Sequence, residues 1–148
     1  MRIVSVLENQ KIEKRIAITP DIAKKYISLG FEILLSENYG NHLGIKDEEY
    51  IQLGVKISKD DKESIDTADL IVQLGLLSDE KGSLLKENQI FIGVLNPYNN
   101  KDKIDYLVKR NINVFSLELL PRITRAQSMD ILSSQANLAG YKAVIDSF

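Results

Sequence analysis

RIVSVLENQKIEKRIAITPDIAKKYISLGFEILLS, residues 2–36, carries the pattern that decides the fold. Two short runs of β-branched and aliphatic residues, Arg2 to Leu7 and Phe31 to Ser36, flank a segment with helical signals. Thr19 supplies an N-cap oxygen. Pro20 suits the first helical position, where its missing N–H would have had no intrahelical partner, and Gly30 closes the helix. A strand, a helix and a second strand in that order form a βαβ unit, which makes the two strands parallel.

The alternation continues along the chain. Further strands are expected near Val55 to Ile57, over Asp69 to Leu74, Gln89 to Leu95, and Ile112 to Leu117. Several are unbroken apolar runs, as strands covered on both faces are. Helices are expected over Asp47 to Leu53, closed by Gly54, over Ser78 to Glu87, and over Lys101 to Arg110, with Ile104, Leu107 and Val108 on one face. Asp60, Asp61, Lys62 and Glu63 read as a solvated turn. A last helical pattern runs from Ser128 to Phe148 with no Gly, Pro or polar tail after it, so the polypeptide is expected to continue past Phe148. The class is α/β: a three-layer lobe, Rossmann-like or flavodoxin-like, with a mainly parallel sheet and a long final helix.

Composition narrows the functions open to this lobe. Its 148 residues are 44% hydrophobic and 27% charged, ordinary for a single globular domain, and the net charge of -2 gives no electrostatic case for nucleic acid or an anionic membrane surface. With no Cys and one His, His42, there is no thiolate nucleophile, disulfide or Cys-based metal site, and no metal is expected. No apolar run is long enough to span a bilayer, and the N-terminus lacks a signal-peptide cleavage site. A cytoplasmic location is expected.

A dinucleotide-binding βαβ unit usually carries G-x-G-x-x-G after its first strand. Here that position holds ENQKIEKRIAITP, without glycine, and no G-x-G occurs in the chain. There is likewise no P-loop, nucleophile elbow or His-based triad.

The stretch PRITRAQSMD, residues 121–130, is the most unusual. The chain uses fourteen Lys but only five Arg, and two of these, Arg122 and Arg125, fall here beside Gln127 and Asp130. In one reading Thr124 and Gln127 make a capping box, or Ser128 caps with Asp130 in the first turn, and the arginines are solvated. In the other, guanidinium, carboxamide and carboxylate gather at a loop-to-helix junction suited to a phosphate or a carboxamide-bearing ligand. The following helix has a face of small residues, Ser133, Ser134, Ala136, Ala139, Gly140 and Ala143, suited to close packing within the domain or against another one. Arg15 lies on the loop leaving the first strand, where it is either a surface residue or one facing a cleft. His42, in YGNHLG, reads as a loop residue.

Two segments carry a family resemblance. Residues 1–54, MRIVSVLENQKIEKRIAITPDIAKKYISLGFEILLSENYGNHLGIKDEEYIQLG, resemble the opening of the alanine dehydrogenase and proton-translocating NAD(P) transhydrogenase superfamily, and PRITRAQSMDILSSQANLAGYKAVID, residues 121–146, more specifically resembles the NAD(H)-binding domain of transhydrogenase alpha subunits. The resemblance runs through all 148 residues and covers the first half of that domain. It implies that a second, glycine-rich lobe for the pyrophosphate lies outside this chain, with the last helix crossing to it.

The resemblance also implies direct hydride transfer from NADH to NADP⁺, coupled to proton translocation. NAD(H) would be the cofactor at this domain and NADP(H) would sit on a partner subunit. Arg122 and Asp130 would hold the carboxamide and ribose region of NAD(H), with Ser133 one turn further on, and Gln127 would reach toward the facing NADP(H). Ile123, Thr124, Ser128 and Met129 complete the implied binding segment, and Arg125 is its least certain neighbour. The implied partners are the transhydrogenase beta subunit, the remaining portions of the alpha subunit and a second alpha domain, giving a homodimer peripheral to the inner membrane. Alanine dehydrogenases share an Arg matching Arg15, but Gly75 or Gln73 and Asn96 stand where their substrate-binding Lys and catalytic His would be, which disfavours that activity. The remaining alternative is a standalone or degenerate lobe acting as a non-catalytic interaction module.

Overall fold

A computed structural model describes residues 1–121 and 123–147. Its six strands are β1 (Arg2–Ser5), β2 (Glu32–Ser36), β3 (Lys56–Ser58), β4 (Leu70–Val72), β5 (Ile90–Gly93) and β6 (Asn113–Ser116), all parallel, in the order β3-β2-β1-β4-β5-β6. The chain winds outward from β1 to β3, returns, and winds the other way through β4 to β6. This is the doubly wound Rossmann order, and its direction reverses between β1 and β4.

Each face of the sheet has its own core. Ile3, Ile33 and Leu35 pack with Ala23 of α1 (Pro20–Ser28) and Tyr50 of α2 (Asp47–Gln52). Val4, Ile71 and Phe91 pack on the other face with Ile65 of α3 (Asp61–Asp66) and Leu107 of α5 (Lys101–Lys109). Consecutive residues Ile3 and Val4 thus enter opposite cores, as strand alternation requires, and this is why the strands read as continuous apolar runs.

Buried polar bonds fix the crossover point. The Gln73 Oε1 accepts from the Ser5 hydroxyl at 2.9 Å and from the Val6 N–H at 2.9 Å, joining the ends of β4 and β1. Ser5 Oγ also meets the Tyr39 hydroxyl at 2.7 Å, and that hydroxyl accepts from Ala17 and Ile18 N–H at 3.1 and 3.2 Å. Tyr50 donates to the Ile18 carbonyl at 2.8 Å. The glycine-free loop between β1 and α1 is therefore held by tyrosine hydroxyls where a shorter loop would use backbone turns. At Gly93 a Cβ would sit 2.7 Å from the Gln73 carbonyl oxygen, so β5 approaches β4 here only because that residue is glycine.

Thr19 and Pro20 start α1 as expected, and α2 follows its expected span to within a residue. Other elements differ from the sequence reading. Asp60 to Glu63 is no solvated turn: Asp60 accepts from Lys62 N at 2.8 Å and Glu63 N at 3.2 Å and caps α3, which buries Ser64 and Ile65. The helix expected from Ser78 shortens to α4 (Asp79–Gly82), after which Leu85 turns into the core and buried Gln89 donates to the Ile65 and Ala68 carbonyls. In α5, Ile104 and Leu107 face the core but Val108 is exposed. The last helix, α6 (Ile131–Asp146), begins at Asp130 rather than at Ser128, because residues Thr124–Met129 form a 3₁₀ segment; neither capping arrangement expected there occurs.

Burial raises the pKa of the Tyr39 phenol, and burial followed by the neighbouring Tyr39 raises that of Tyr50. A raised folded-state value means stability is present below the unfolded tyrosine pKa of about 10 and is lost as pH rises through the folded value. The urea midpoint should therefore fall above about pH 10, and fall less in Tyr39→Phe. At neutral pH that substitution should cost about 2 kcal/mol, since it strands two backbone N–H groups. An unchanged neutral-pH midpoint would remove the phenol from this role.

Candidate functional site

The β6 strand leads into a 3₁₀ turn at Leu117–Leu119, then Pro121, then the Thr124–Met129 3₁₀ segment. Ala126, 5% exposed, anchors that segment, and Ile123 N–H donates to the Pro121 carbonyl at 2.9 Å while Ala126 N–H donates to the Ile123 carbonyl at 2.9 Å. Asp130 ends this segment and caps α6: its Oδ1 accepts from Ser133 N–H at 3.0 Å and its Oδ2 from the Ser133 hydroxyl at 2.7 Å. A carboxylate at the N-terminus of a helix is also favoured by the helix dipole.

A cavity of about 300 Å³ opens here, and Ile123, Thr124, Gln127 and Asp130 line it together with Glu118. Ser133 joins them through Asp130. Ser128 and Met129 are exposed on the 3₁₀ segment and do not line the cavity, and Arg125 is exposed as well. Arg122 lies outside the described residues.

The sequence reading missed Glu118. Its carboxylate accepts from the Leu95 N–H at 3.2 Å and from the Asn96 N–H, tying the end of β5 to the turn that launches the site loop. Burial opposes the charged form, but the nearby Ser116 hydroxyl, followed by the backbone N–H groups of Glu118, Asn96 and Leu95, outweighs it and holds the carboxyl below its ordinary range. The signal lay in SLELLP, where one acidic residue interrupts an apolar run.

A second cavity, about 490 Å³, lies at the crossover between the ends of β1 and β4, lined by Glu8, Glu13, Asp61, Gln73, Gly75 and Lys81 among others. Its charges are largely committed. Lys81 pairs with Asp61 at 2.7 Å, Asp61 accepts from the Ser36 hydroxyl at 2.5 Å, and Gln73 is held in the Ser5 network. Burial raises the Glu8 carboxyl even though Leu74 N–H donates to it at 2.6 Å. Arg15 does not reach open solvent alone: its Nε and Nη2 grip the Glu13 carboxylate at 2.9 and 2.6 Å, and its Nη1 donates to Gln135 Oε1 at 2.7 Å. His42 is likewise more than a loop residue. Its Nε2 donates to the Lys14 carbonyl at 2.7 Å, leaving Nδ1 to accept from Gln10 Nε2 at 3.2 Å. Asn96 sits in the left-handed region at φ 46° and its carbonyl accepts from Asn99 and Asn100 N–H, a turn role. Among the described residues no group of three or more His, Cys, Asp or Glu could hold a metal, and no helix is long and apolar enough to cross a membrane.

Residues 5–139 match the family model described as "Alanine dehydrogenase/PNT, N-terminal domain". The chain belongs to this family. A relative from Rickettsia prowazekii, named as the first portion of an NAD(P) transhydrogenase subunit alpha, is 42% identical over 99% of the chain, which spans 39% of that relative's length. The crystal structure of transhydrogenase from Sinorhizobium meliloti superposes with a TM-score of 0.89 at 39% identity, over 97% of this chain and 43% of that one. An alanine dehydrogenase from Methanococcus maripaludis is more distant, at 26% identity over 89% of the chain and 35% of its own length. Within the alanine dehydrogenase/PNT family, this chain is thus more similar to the transhydrogenase branch.

Replacing Glu118 with Ala should cost about 1–2 kcal/mol by stranding the Leu95 and Asn96 N–H groups. Because the folded pKa lies below the ordinary value, that loss should be full above the unfolded glutamate range and shrink as pH falls through it. Urea melts of the wild type and variant at neutral and acid pH measure both; a difference independent of pH would point to packing instead.

Proposed function

We propose that residues 1–148 form the N-terminal lobe of the NAD(H)-binding unit of a proton-translocating NAD(P) transhydrogenase, and that the loop from Pro121 to Ser133 orients the nicotinamide end of NAD(H). The observation that carries this reading is the cavity lined by Thr124, Gln127 and Asp130, in a segment matching relatives named transhydrogenase subunit alpha. Its donor set suits the cofactor. A carboxamide, a fixed carboxylate and nearby hydroxyls can pair with an amide and with ribose hydroxyls, whereas the described wall offers no cationic cradle for a pyrophosphate. That end of the nucleotide belongs to a second, glycine-rich lobe contributed from outside these residues.

Bound NADH supplies a hydride, passed directly to NADP⁺ on a partner subunit, giving NAD⁺ and NADPH. The residues of this lobe neither attack nor transfer a proton in that step. Asp130, immobilised by Ser133 N–H and hydroxyl, fixes one side of the ribose; Arg122 takes the carboxamide; Gln127, exposed beside the cavity, faces the incoming NADP(H). Ile123 and Thr124 shape the wall and limit water, while Ser128 and Met129 stand exposed beside it. Fixed hydrogen-bonding groups accelerate such a reaction by holding two rings in a near-attack geometry. The beta subunit, the remaining portions of the alpha subunit and a second alpha domain are the partners in this reading, which places the lobe at the cytoplasmic side of the inner membrane. The separate 148-residue chain is expected to bind NADH very weakly and to transfer no hydride.

The test uses the assembled complex. Asp130→Asn keeps the shape of the cap but removes the charge, and should lower kcat/KM for NADH-dependent reduction of NADP⁺ by about 10–100-fold. Gln127→Ala should lower kcat more than it raises the KM for NADH. Wild-type rates in both variants would withdraw the site assignment.

A further inference from the structure

We propose that Arg15 and Gln135 form a positioning clamp that sets the direction of α6 and, through it, the geometry of the Asp130 site. This rests on the function proposed above. The helix needs such a device. From Leu132 onward every described residue of α6 is exposed, and among the described residues the helix packs most closely on the Leu117–Leu119 turn. Ile131 and Gln135 are one helical turn apart and so share a side, and Ile131 is the half-buried one. Among the described residues, the Arg15 to Gln135 bond is the one hydrogen bond from an α6 side chain to another element.

The clamp is rigid because its base is rigid. Glu13 takes two of the Arg15 nitrogens and also accepts from the Arg15 N–H at 2.9 Å, so the guanidinium plane has little freedom before it meets Gln135. The loop carrying both residues is itself fixed at two further points. His42 holds Lys14 and Gln10, and the Tyr39 hydroxyl holds Ala17 and Ile18. A continuous bonded path therefore runs from the crossover between β1 and β4, through Arg15, to Gln135 at the start of the second turn of α6. Asp130 caps the turn before it, so a tilt of α6 would displace its carboxylate and the Ser133 donors together.

The arrangement also assigns Arg15 a use distinct from ligand binding. All three of its side-chain nitrogens are directed at Glu13 and Gln135. A planar fork is well suited to this, since its donors are fixed in one plane, whereas the three donors of a lysine ammonium rotate about a flexible stem and cannot grip a carboxylate in the same two-point geometry.

In the assembled complex, Arg15→Ala and Gln135→Ala should each lower kcat for hydride transfer by about tenfold with a smaller change in the KM for NADH, since misplacement of a held ring costs rate more than affinity. The double variant should be no worse than either single one, and Gln135→Glu, which keeps the acceptor and adds charge, should restore the rate. Hydrogen–deuterium exchange over residues 131–139 should quicken in both alanine variants while the sheet stays protected. Additive losses, or a loss in Arg15→Ala with none in Gln135→Ala, would overturn the clamp. The exchange measurement does not depend on activity: if Asp130→Asn leaves the rate unchanged while α6 still loosens in Arg15→Ala, the clamp stands and the catalytic reading of the site fails. Unchanged exchange in both alanine variants sinks the clamp alone.

Discussion

The hydroxyl of Ser5 stands where the winding of the sheet reverses, and the rest of the lobe depends on its being satisfied. It lies at the end of the central strand, fully buried, with Gln73 from the adjoining strand on one side and Tyr39 on the other. A buried hydroxyl or carboxamide without a partner costs far more than a satisfied one returns, so these groups are mutually obligatory. Their bonds align the ends of β1 and β4 and draw in the backbone of Ala17 and Ile18. In a Rossmann unit that carries G-x-G-x-x-G, this space is filled by a tight turn against a phosphate. Here tyrosine phenols and a glutamine fill it, and the crossover becomes a structural joint from which a longer loop projects.

Much of the fold was legible because its signals are local and repeated. Every strand was found; all but β3, which runs one residue past its expected span to Ser58, lie inside the expected spans and are shorter than them, and the inner strands are apolar runs recognisable without knowing their neighbours in the sheet. The Thr19–Pro20 start of α1 is written in two adjacent residues. What escaped was shorter than the period used to find it. The α3 helix spans only Asp61–Asp66, and its charged first turn hides the two residues, Ser64 and Ile65, that it buries. The premature end of α4 is set by tertiary demand: Leu85 is worth more in the core than another helical turn would be on the surface.

The site was legible as chemistry but not as geometry. The sequence marked Gln127, Asp130 and Ser133, and the structure brings the first two to one cavity wall and bonds the third to the second. It could not mark Asp130 as the cap, because Thr124 and Ser128 are equally good caps by type, and the choice was made by a 3₁₀ segment that nothing in the pattern announces. Glu118 was marked only by the break it makes in the apolar run SLELLP, which says nothing of what it binds. Its partners are backbone N–H groups 22 and 23 residues away, which have no residue signature. Arg15 was noticed for its position at a strand end, yet its partner Gln135 is 120 residues distant and read only as one more polar position on the last helix.

That last helix ties these threads together. Apolar and small side chains surround it rather than following one stripe: Leu132, Leu138, Tyr141, Val144 and Ile145 are all exposed, alongside Ala136, Ala139, Gly140 and Ala143. A helix that exposes this many apolar side chains is suited to packing within a larger structure. In the proposed transhydrogenase unit a second lobe packs beside it, and the small residues let that lobe approach closely. The direction in which α6 leaves the first lobe would then fix where the second one sits, and so the width of the nucleotide cleft between them. Two contacts meet in the first two turns of α6, the Asp130 cap beside the cavity and the Arg15 bond to Gln135. In the proposed unit, holding the start of that helix from both sides would let a sheet without a glycine-rich loop still position a dinucleotide.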